Sequence, residues 1–504
     1  MRNQRRTGTL LSYLYIVVNT VAVLLFQKVA IATLGGSEYG LYQLAASVIN
    51  YLTVMDLGFN NGIVNYTAKY KATGRDGDVK KLHGMFKMIF YGIGLVAMGI
   101  GTVITLNVET FYRASMTAAE IEKSKIIMSV LTVNLGITFA LSIYNAIIIA
   151  YERFIFAKLL TIVRSLLNPV LMVPLLLLGA DSVVMVIVLS SINVFCLMLN
   201  YLYTRYKLHI KVKFSGFDRG IFKDIFSYSI FIFIAEIVDK VNWSVDQIIL
   251  GIVSGTKEVT VYSVASTYNQ LVNQISGCVS SVMLPKIATM VATGESDKRI
   301  NDLFIRSSRI QLYTVLLIVS GFALFGHNFI VWHAGQESHM SYYVGLILMT
   351  AGLVPVTQSV AIVIIKAKDR FKFRAILMLI MAFVNVIISV PLAMLFDSVG
   401  SALGTAITLV LANIVIINIY YQKRCGIDVI AYWKNFIPMV LKLAPAVAVA
   451  LAVKMLLPLP GLYELFVYGA LFVALFCVCA YFLVMNSYEK DLVRKYLRKI
   501  FSFI

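Results

Sequence analysis

The chain has 504 residues, 60% of them hydrophobic and 14% charged, with a mean hydropathy of +0.84. A soluble domain is about a quarter charged and about half apolar, so a soluble globular fold is excluded, and the count of spans replaces length as the measure of architecture. The formal charge of +19 does not point to nucleic acid, because the Lys and Arg residues stand in short segments between apolar runs, where they face anionic lipid.

A helix needs about 20 mainly apolar residues to cross the hydrocarbon. In chain order, such runs fall at 10–33, 41–66, 88–107, 125–150, 159–179, 183–204, 225–254, 259–282, 310–333, 342–365, 375–396, 399–422, 438–457 and 463–486. They predict an all-α polytopic membrane protein of about fourteen transmembrane helices. The first run follows Arg2, Arg5 and Arg6 and precedes Ala30-Ile31-Ala32, the outline of a secretory signal. It is longer than a signal core and belongs to the repeat described below, so it is expected to be a retained first span.

Alternate loops differ sharply in charge. Of the 44 Lys and Arg residues, Arg113, Lys123, Lys125, Lys257 and Lys454 fall on one side, and Lys28, Arg164, Lys240 and Lys442 lie within spans. All the others, including Lys69, Lys71, Arg75, Lys80, Lys81 and Lys87, fall on the opposite side with both tails. The basic side is cytoplasmic. The tail from Tyr488 sets Leu492, Val493, Tyr496, Leu497 and Ile500 against Lys490, Arg494, Lys495, Arg498 and Lys499, the spacing of an amphipathic helix lying on the inner leaflet.

The five cysteines are Cys196, Cys278, Cys425, Cys477 and Cys479; none stands in a predicted external loop, and no disulfide framework is expected. The five histidines are scattered and form no metal pattern, and no phosphate-binding glycine loop occurs.

The sequence repeats itself. At an offset of 220, Tyr42, Ala45 and Ala68 meet Tyr262, Ala265 and Ala288, and Ala72-Thr73-Gly74 meets Ala292-Thr293-Gly294. At an offset of 217, Glu152-Arg153-Phe154 meets Asp369-Arg370-Phe371, Asn168 meets Asn385, and Val173-Pro174 meets Val390-Pro391. Two six-helix lobes related by a parallel internal repeat follow, with two C-terminal helices added. The expected organisation is an N-terminal lobe at 1–204, a basic cytoplasmic linker at 205–224, a C-terminal lobe at 225–436, extra spans at 437–486 and a cytoplasmic tail at 487–504. Facing lobes of this kind carry a transporter's substrate at their interface.

Ionisable side chains in a span are costly and face a cavity or a partner. Span 7 is the outlier. Glu236, Asp239, Lys240, Trp243 and Gln247 share one helical face, with Asp246 at its edge. Facing lipid, its four charges would cost about 10 kcal/mol at roughly 2.5–3.5 kcal/mol each, so they face protein or water. An internal Glu236–Lys240 pair that only fixes packing is the alternative. Gln270, Asn273 and Gln274 on span 8 suit either a cavity wall or bonds between helices. Lys28 lies deep in span 1 and either snorkels or points into a cavity. Arg164 lies a few residues into span 5, where snorkelling to the cytoplasmic interface is expected. Asp56 precedes Leu57-Gly58-Phe59 and marks either a helix break or a ligand contact.

The run Leu34-Gly35-Gly36-Ser37-Glu38-Tyr39-Gly40-Leu41-Tyr42, followed by Ser47, Tyr51, Asp56-Leu57-Gly58-Phe59 and Tyr66, resembles the Wzx-type polysaccharide flippases. These belong to the multidrug/oligosaccharidyl-lipid/polysaccharide exporter superfamily. The duplicated lobes and two extra spans fit along the whole chain. The resemblance implies a carrier, not an enzyme. Its cargo would be an undecaprenyl-diphosphate-linked oligosaccharide repeat unit of O-antigen, capsule or another surface polysaccharide, moved across a bacterial inner membrane by alternating access. It implies cationic groups for the diphosphate, with Lys28, Lys240 and Arg164 as candidates, and coupling to H⁺ or Na⁺, with Glu236, Asp239 and Asp246 as candidates. No cofactor is expected. Lipid-linked oligosaccharide, membrane lipids and the polymerase and chain-length machinery are the expected partners, and the chain is expected to be monomeric. A drug/cation antiporter of the same superfamily, which usually has twelve spans, is the nearest alternative. A membrane polymerase or glycosyltransferase is more distant, because the external loops are short.

Overall fold

A computed structural model of the chain describes residues 2–214, 216–456, 463–491 and 493–494; within these, the side chains at 2–10, 12–13, 228, 231–232, 234–236, 238–243, 275, 278, 281–282, 285 and 464 stand outside the description. Among the described residues every regular element is helical, as the composition predicts. The longer helices are α1 (Arg2–Leu52), α2 (Phe59–Ala72), α3 (Asp76–Leu106), the short α4 (Val108–Tyr112), α5 (Ala118–Ala150), α6 (Phe154–Leu177), α7 (Ser182–Leu202) and α8 (Arg219–Val253). They continue with α9 (Thr256–Ala292), α10 (Asp297–Ala334), α11 (Ser341–Thr357), α12 (Ser359–Ala367), α13 (Phe371–Leu409), the short α14 (Ile417–Tyr420), α15 (Val429–Leu456) and α16 (Gly469–Cys479).

Ten stretches among the described residues are long and apolar enough to cross a membrane, and the chain is a multi-pass membrane protein. Two of these stretches, Leu14–Ala72 and Phe371–Cys425, run for 59 and 55 residues, far beyond the ~20 that one crossing needs. Each breaks along its length, at Gly35 (φ 80°, ψ 165°) and at Phe396–Asp397, so each is long enough for two crossings. With α8 and α9 at predicted spans 7 and 8, the architecture is compatible with fourteen. The tail beyond Arg494 lies outside the described residues.

The repeat is written into the backbone. Gly35 and Gly255, 220 residues apart, have φ of 80° and 88°, and Gly74 and Gly294 both have φ of 69°. At the second offset, Glu152 and Asp369 have φ of 56° and 54°, and His209 and Gly426 have φ of 55° and 67°. The stack of Phe156 on Tyr203 (3.8 Å between centroids) recurs as Phe373 on Tyr420 (4.3 Å). Positive φ is uncommon outside glycine, so its recurrence at the non-glycine pair Glu152 and Asp369, with glycines matching at two further pairs, shows one local design used twice.

The chain forms two compact units, Met1–Val264 with Met378–Gly404, and Ala265–Leu377 with Thr405–Ile504. In the first, Phe59, Ile63, Leu82, Phe86, Phe90, Leu135, Phe139 and Ile143 make the core where α2, α3 and α5 meet. Lipid offers no hydrophobic drive for helices to associate, so close backbone approach and polar bonds hold them together. A Cβ on Gly94 would stand 2.9 Å from the carbonyl oxygen of Gly136, and one on Gly101 would stand 2.7 Å from Thr132. Asn193 donates to Asn134 (2.9 Å) and Thr138 (2.8 Å), joining α7 to α5. Leu95, Leu106, Leu177, Phe383 and Ile387 are exposed, the apolar skin expected toward lipid.

In the second unit, Leu312, Leu316, Phe325, Met439, Leu443, Phe472 and Phe476 pack α15 and α16 along α10. Gln311 on α10 donates to Ser276 on α9 (2.9 Å) and to Ser359 on α12 (2.7 Å), and Tyr268 pairs with His333 at 2.7 Å, a second tie between α9 and α10.

Candidate functional site

Span 7 is the α8 helix, and its C-terminal half carries the most buried carboxylate of the described site candidates. Asp246 has no exposed surface. It accepts a hydrogen bond from the Tyr262 hydroxyl on α9 (2.6 Å) and another from the Ser401 hydroxyl on α13 (2.6 Å). A carboxylate buried in a span is expensive unless such bonds hold it.

The sequence of α13 explains why Ser401 is there. The helix breaks at Phe396–Asp397 and returns on itself. A Cβ on Gly400 would overlap the carbonyl oxygen of Leu392, and one on Gly404 would stand 2.9 Å from Cα of Ser389. Only glycine permits that approach of the two arms. Ser389 then donates to Asn385 (2.6 Å), and its hydroxyl lies 3.4 Å from the carbonyl oxygen of Ser401. Asp246, Tyr262, Ser401, Ser389 and Asn385 are thereby linked in one buried chain of oxygen-bearing groups. Oxygen donors around a carboxylate suit a proton or a hard monovalent cation.

One residue on, Gln247 is 9% exposed and accepts a hydrogen bond from Ser47 on α1, tying span 7 to span 1. Glu236, Asp239, Lys240 and Trp243 lie on α8, and their side chains are outside the described residues. Asp56 ends a 3₁₀ turn at Thr53–Asp56, followed by Leu57 (φ 53°) and Gly58 (φ 69°), and its carboxylate accepts from the Asn60 amide at 2.8 Å. The helix is interrupted at this point, one of the two readings of Asp56.

Lys28 is half-buried on α1, and Arg164 is exposed on α6, two helices that pack along each other and share a Ser165–Asn19 bond at 3.0 Å. Gln270 and Asn273 turn back onto their own helix, to Ser266 (3.4 Å) and to the carbonyl oxygen of Asn269 (2.9 Å). Gln274 is exposed on the same helix. Of the residues singled out from sequence, Asp246 and Gln247 are bonded to neighbouring helices. Tyr262, Ser401 and Ser389 were not expected at the site. Tyr262 and Asn385 stand out in the sequence only as partners in the repeat, and nothing marks a serine beside a glycine on span 12 as a carboxylate's donor.

The comparisons with known proteins agree with this architecture. Residues 6–291, more than half of the chain, match the family described as Polysaccharide biosynthesis protein. No curated protein sequence matches the chain. Among solved structures, a lipid II flippase, MurJ, in an inward closed conformation is similar over 97% of this chain and 99% of its own, with a TM-score of 0.73 at 14% identity. An inward-facing multidrug resistance transporter of the MATE family, in the MOP superfamily, matches 79% of this chain and 93% of its own, with a TM-score of 0.62 at 14% identity. A MOP superfamily transporter from Pyrococcus furiosus, whose binding pocket is described as reversed in polarity, matches 81% and 91%, with a TM-score of 0.53 at 14% identity. At such identities the likeness is one of fold.

Proposed function

As the chain belongs to the polysaccharide biosynthesis protein family, we propose that it is a transporter of Wzx type, flipping undecaprenyl-diphosphate-linked oligosaccharide repeat units from the cytoplasmic to the periplasmic leaflet of a bacterial inner membrane. The single observation that carries the proposal is the family match over residues 6–291. The fold supports it by extent. The lipid II flippase is matched almost end to end, including the region of spans 13 and 14, whereas the multidrug transporter leaves about a fifth of this chain unmatched. A lipid-linked sugar is therefore favoured over a drug or simple cation as cargo.

In this proposal the oligosaccharide head crosses between the two lobes while the lipid tail stays in the bilayer. Lys28, Lys240 and Arg164 offer positive charge to the diphosphate. Glu236, Asp239 and Asp246 bind the coupling H⁺ or Na⁺, and Lys240 changes partner between the acids and the diphosphate. Trp243, Gln247, Gln270, Asn273, Gln274 and Asp56 supply polar and aromatic surface for the sugar. The buried hydroxyls on Asp246 support its assignment, because they stabilise the ionised carboxylate and can stay in place as ligands when it binds a cation. No cofactor is needed, and a polymerase would act on the delivered unit.

The test is deletion of the gene in its host. Lipid-linked repeat units should accumulate on the cytoplasmic side and surface polysaccharide should vanish, both restored by the wild-type chain. Normal surface polysaccharide with raised drug sensitivity would instead establish the antiporter.

A further inference from the structure

Three predicted external segments converge on Glu120, a residue outside every span. Glu120 is the third residue of α5 and closes a capping box with Thr117. Its Oε2 accepts from the Thr117 backbone N–H and hydroxyl, both at 2.8 Å. Its Oε1 is turned the other way. It accepts from the hydroxyls of Ser37 (2.5 Å) and Thr256 (2.8 Å), which also lie 2.8 Å from each other. One oxygen therefore fixes the carboxylate on its own helix, and the other joins the loops before spans 2 and 8.

The same junction is reinforced on both sides. Thr260 donates to the carbonyl oxygen of Gly36 at 2.5 Å, and Ser115 donates to the carbonyl oxygen of Gly251 at 2.6 Å. Gly40 faces the start of α9 so closely that a Cβ there would overlap the carbonyl oxygen of Thr256. By the sequence repeat, Ser37, Gly40 and Glu120 belong to the first six-span lobe, and Thr256 and Thr260 to the second.

A second cluster nearby has a different connectivity. Glu38 accepts from Lys123 (2.7 Å) and from the N–H and hydroxyl of Ser182 (3.1 and 2.8 Å). Its repeat partner Glu258 accepts from the N–H of Ser398 at 3.3 Å. Each of these glutamates stays inside its own lobe and ties a loop to the start of that lobe's sixth span. They tie segments within each outer end to one another. The Glu120 cluster, by contrast, joins one lobe's end to the other's, through the hydroxyls of Ser37 and Thr256.

We propose that Glu120, Ser37 and Thr256 form an extracytoplasmic latch, which holds the outer ends of the two lobes together and parts in every transport cycle. Gly40 is the seat that lets the latch close. This inference rests on the transport function proposed above. Hydroxyl-to-carboxylate bonds suit a contact that must open and close repeatedly. They are directional when closed, and water can replace each of them when the latch opens.

Two experiments on the full chain in cells test it. Ser47, on the Ser47–Gln247 seam, is 7% exposed; Ser47→Cys is labelled from outside with a membrane-impermeant maleimide, against the parent chain as background. Adding Ser37→Ala with Thr256→Val removes the latch but keeps the Thr117–Glu120 cap of α5. Labelling should rise about tenfold or more, since two bonds to a charged group are lost. Gly40→Ala should act in the same direction without touching a bonded side chain. Unchanged labelling in both variants overturns the latch.

In the second experiment, Ser37→Cys and Thr256→Cys are combined and oxidised. Export of surface polysaccharide should stop and return on reduction, while either single variant exports normally. A bridged chain, recognised by its shifted mobility, that exports at the parent's rate overturns the proposal. Should the deleted strain keep its surface polysaccharide, the cargo assignment fails, and maleimide labelling still decides the latch.

Discussion

Arg309 and Glu489 meet along both carboxylate oxygens, Nε to Oε1 at 2.6 Å and Nη2 to Oε2 at 2.9 Å. The guanidinium also donates to Asn435 (2.9 Å), Tyr313 (3.2 Å) and the carbonyl oxygen of Val484 (3.1 Å). Span 9 is thereby bonded to span 13, to the end of span 14 and to the start of the tail. At the other end, Lys454 donates to the carbonyl oxygen of Leu324 at 2.6 Å. Span 13 is thereby fastened to span 9 at both ends, and the end of span 14 is held to span 9 through Val484 and Glu489, which is the geometry of a brace.

Removing one partner of this pair should be costly. The side chains are only 11% and 6% exposed, and a buried charge left alone costs about 3–5 kcal/mol. Arg309→Ala or Glu489→Ala should lower the midpoint of thermal unfolding of the purified protein in detergent. Arg309→Lys should recover little, because lysine cannot reproduce the planar fork. An unchanged midpoint in Arg309→Ala would show that the brace contributes nothing.

The same pair sets a pH dependence. Burial alone would raise the Glu489 carboxyl, but the hydrogen bond from Arg309, the backbone N–H of Asn486 and the Arg309 charge outweigh it, so the folded value lies below the ordinary 4.5. A depressed folded value gives stability that is fully present above the unfolded value and lost as pH falls through the folded one. The wild type should hold a constant advantage over Glu489→Gln from neutral pH down to the ordinary carboxylate range. That advantage should shrink below it. Unfolding midpoints of the two proteins across an acid series measure this directly.

At the buried carboxylate, Asp246→Asn should leave the protein in the membrane and abolish the dependence of export on the ion gradient. Tyr262→Phe and Ser401→Ala each remove one bond to a charged group, worth about 1.5–3 kcal/mol, and should weaken cation binding by roughly tenfold or more. The readout is export in cells as external pH and Na⁺ are varied separately. Full gradient dependence in Asp246→Asn would remove this residue from the coupling site.

Gly400 offers a test that touches no polar group. A Cβ there would press on the carbonyl oxygen of Leu392, and forced overpacking costs about 1–3 kcal/mol. Gly400→Ala should separate the arms of α13, draw Ser401 from Asp246, and reproduce the transport defect of Ser401→Ala together with a lowered unfolding midpoint.

Much of this was legible from residues alone, because span length and repeat offsets are properties of the chain. The Glu152-Arg153-Phe154 and Asp369-Arg370-Phe371 corners could be paired without coordinates. The partners of Asp246 could not. A tyrosine on span 8 and a serine on span 12 read as ordinary helix-packing groups until the break at Phe396–Asp397 folds one arm of α13 onto the other. Glu120 was hidden for a different reason. Thr117 and Glu120 carry the spacing of a capping box, which accounts for the carboxylate completely and gives no hint that its second oxygen is employed elsewhere.

The paired corners, Phe156 on Tyr203 and Phe373 on Tyr420, give the molecule its own internal standard. A change made at one corner can be made again 217 residues away, in the same local surroundings and the same polypeptide. Where the two changes behave alike, the trait is inherited from the ancestral half. Where they differ, the difference measures how far the halves have diverged in duty since they were joined.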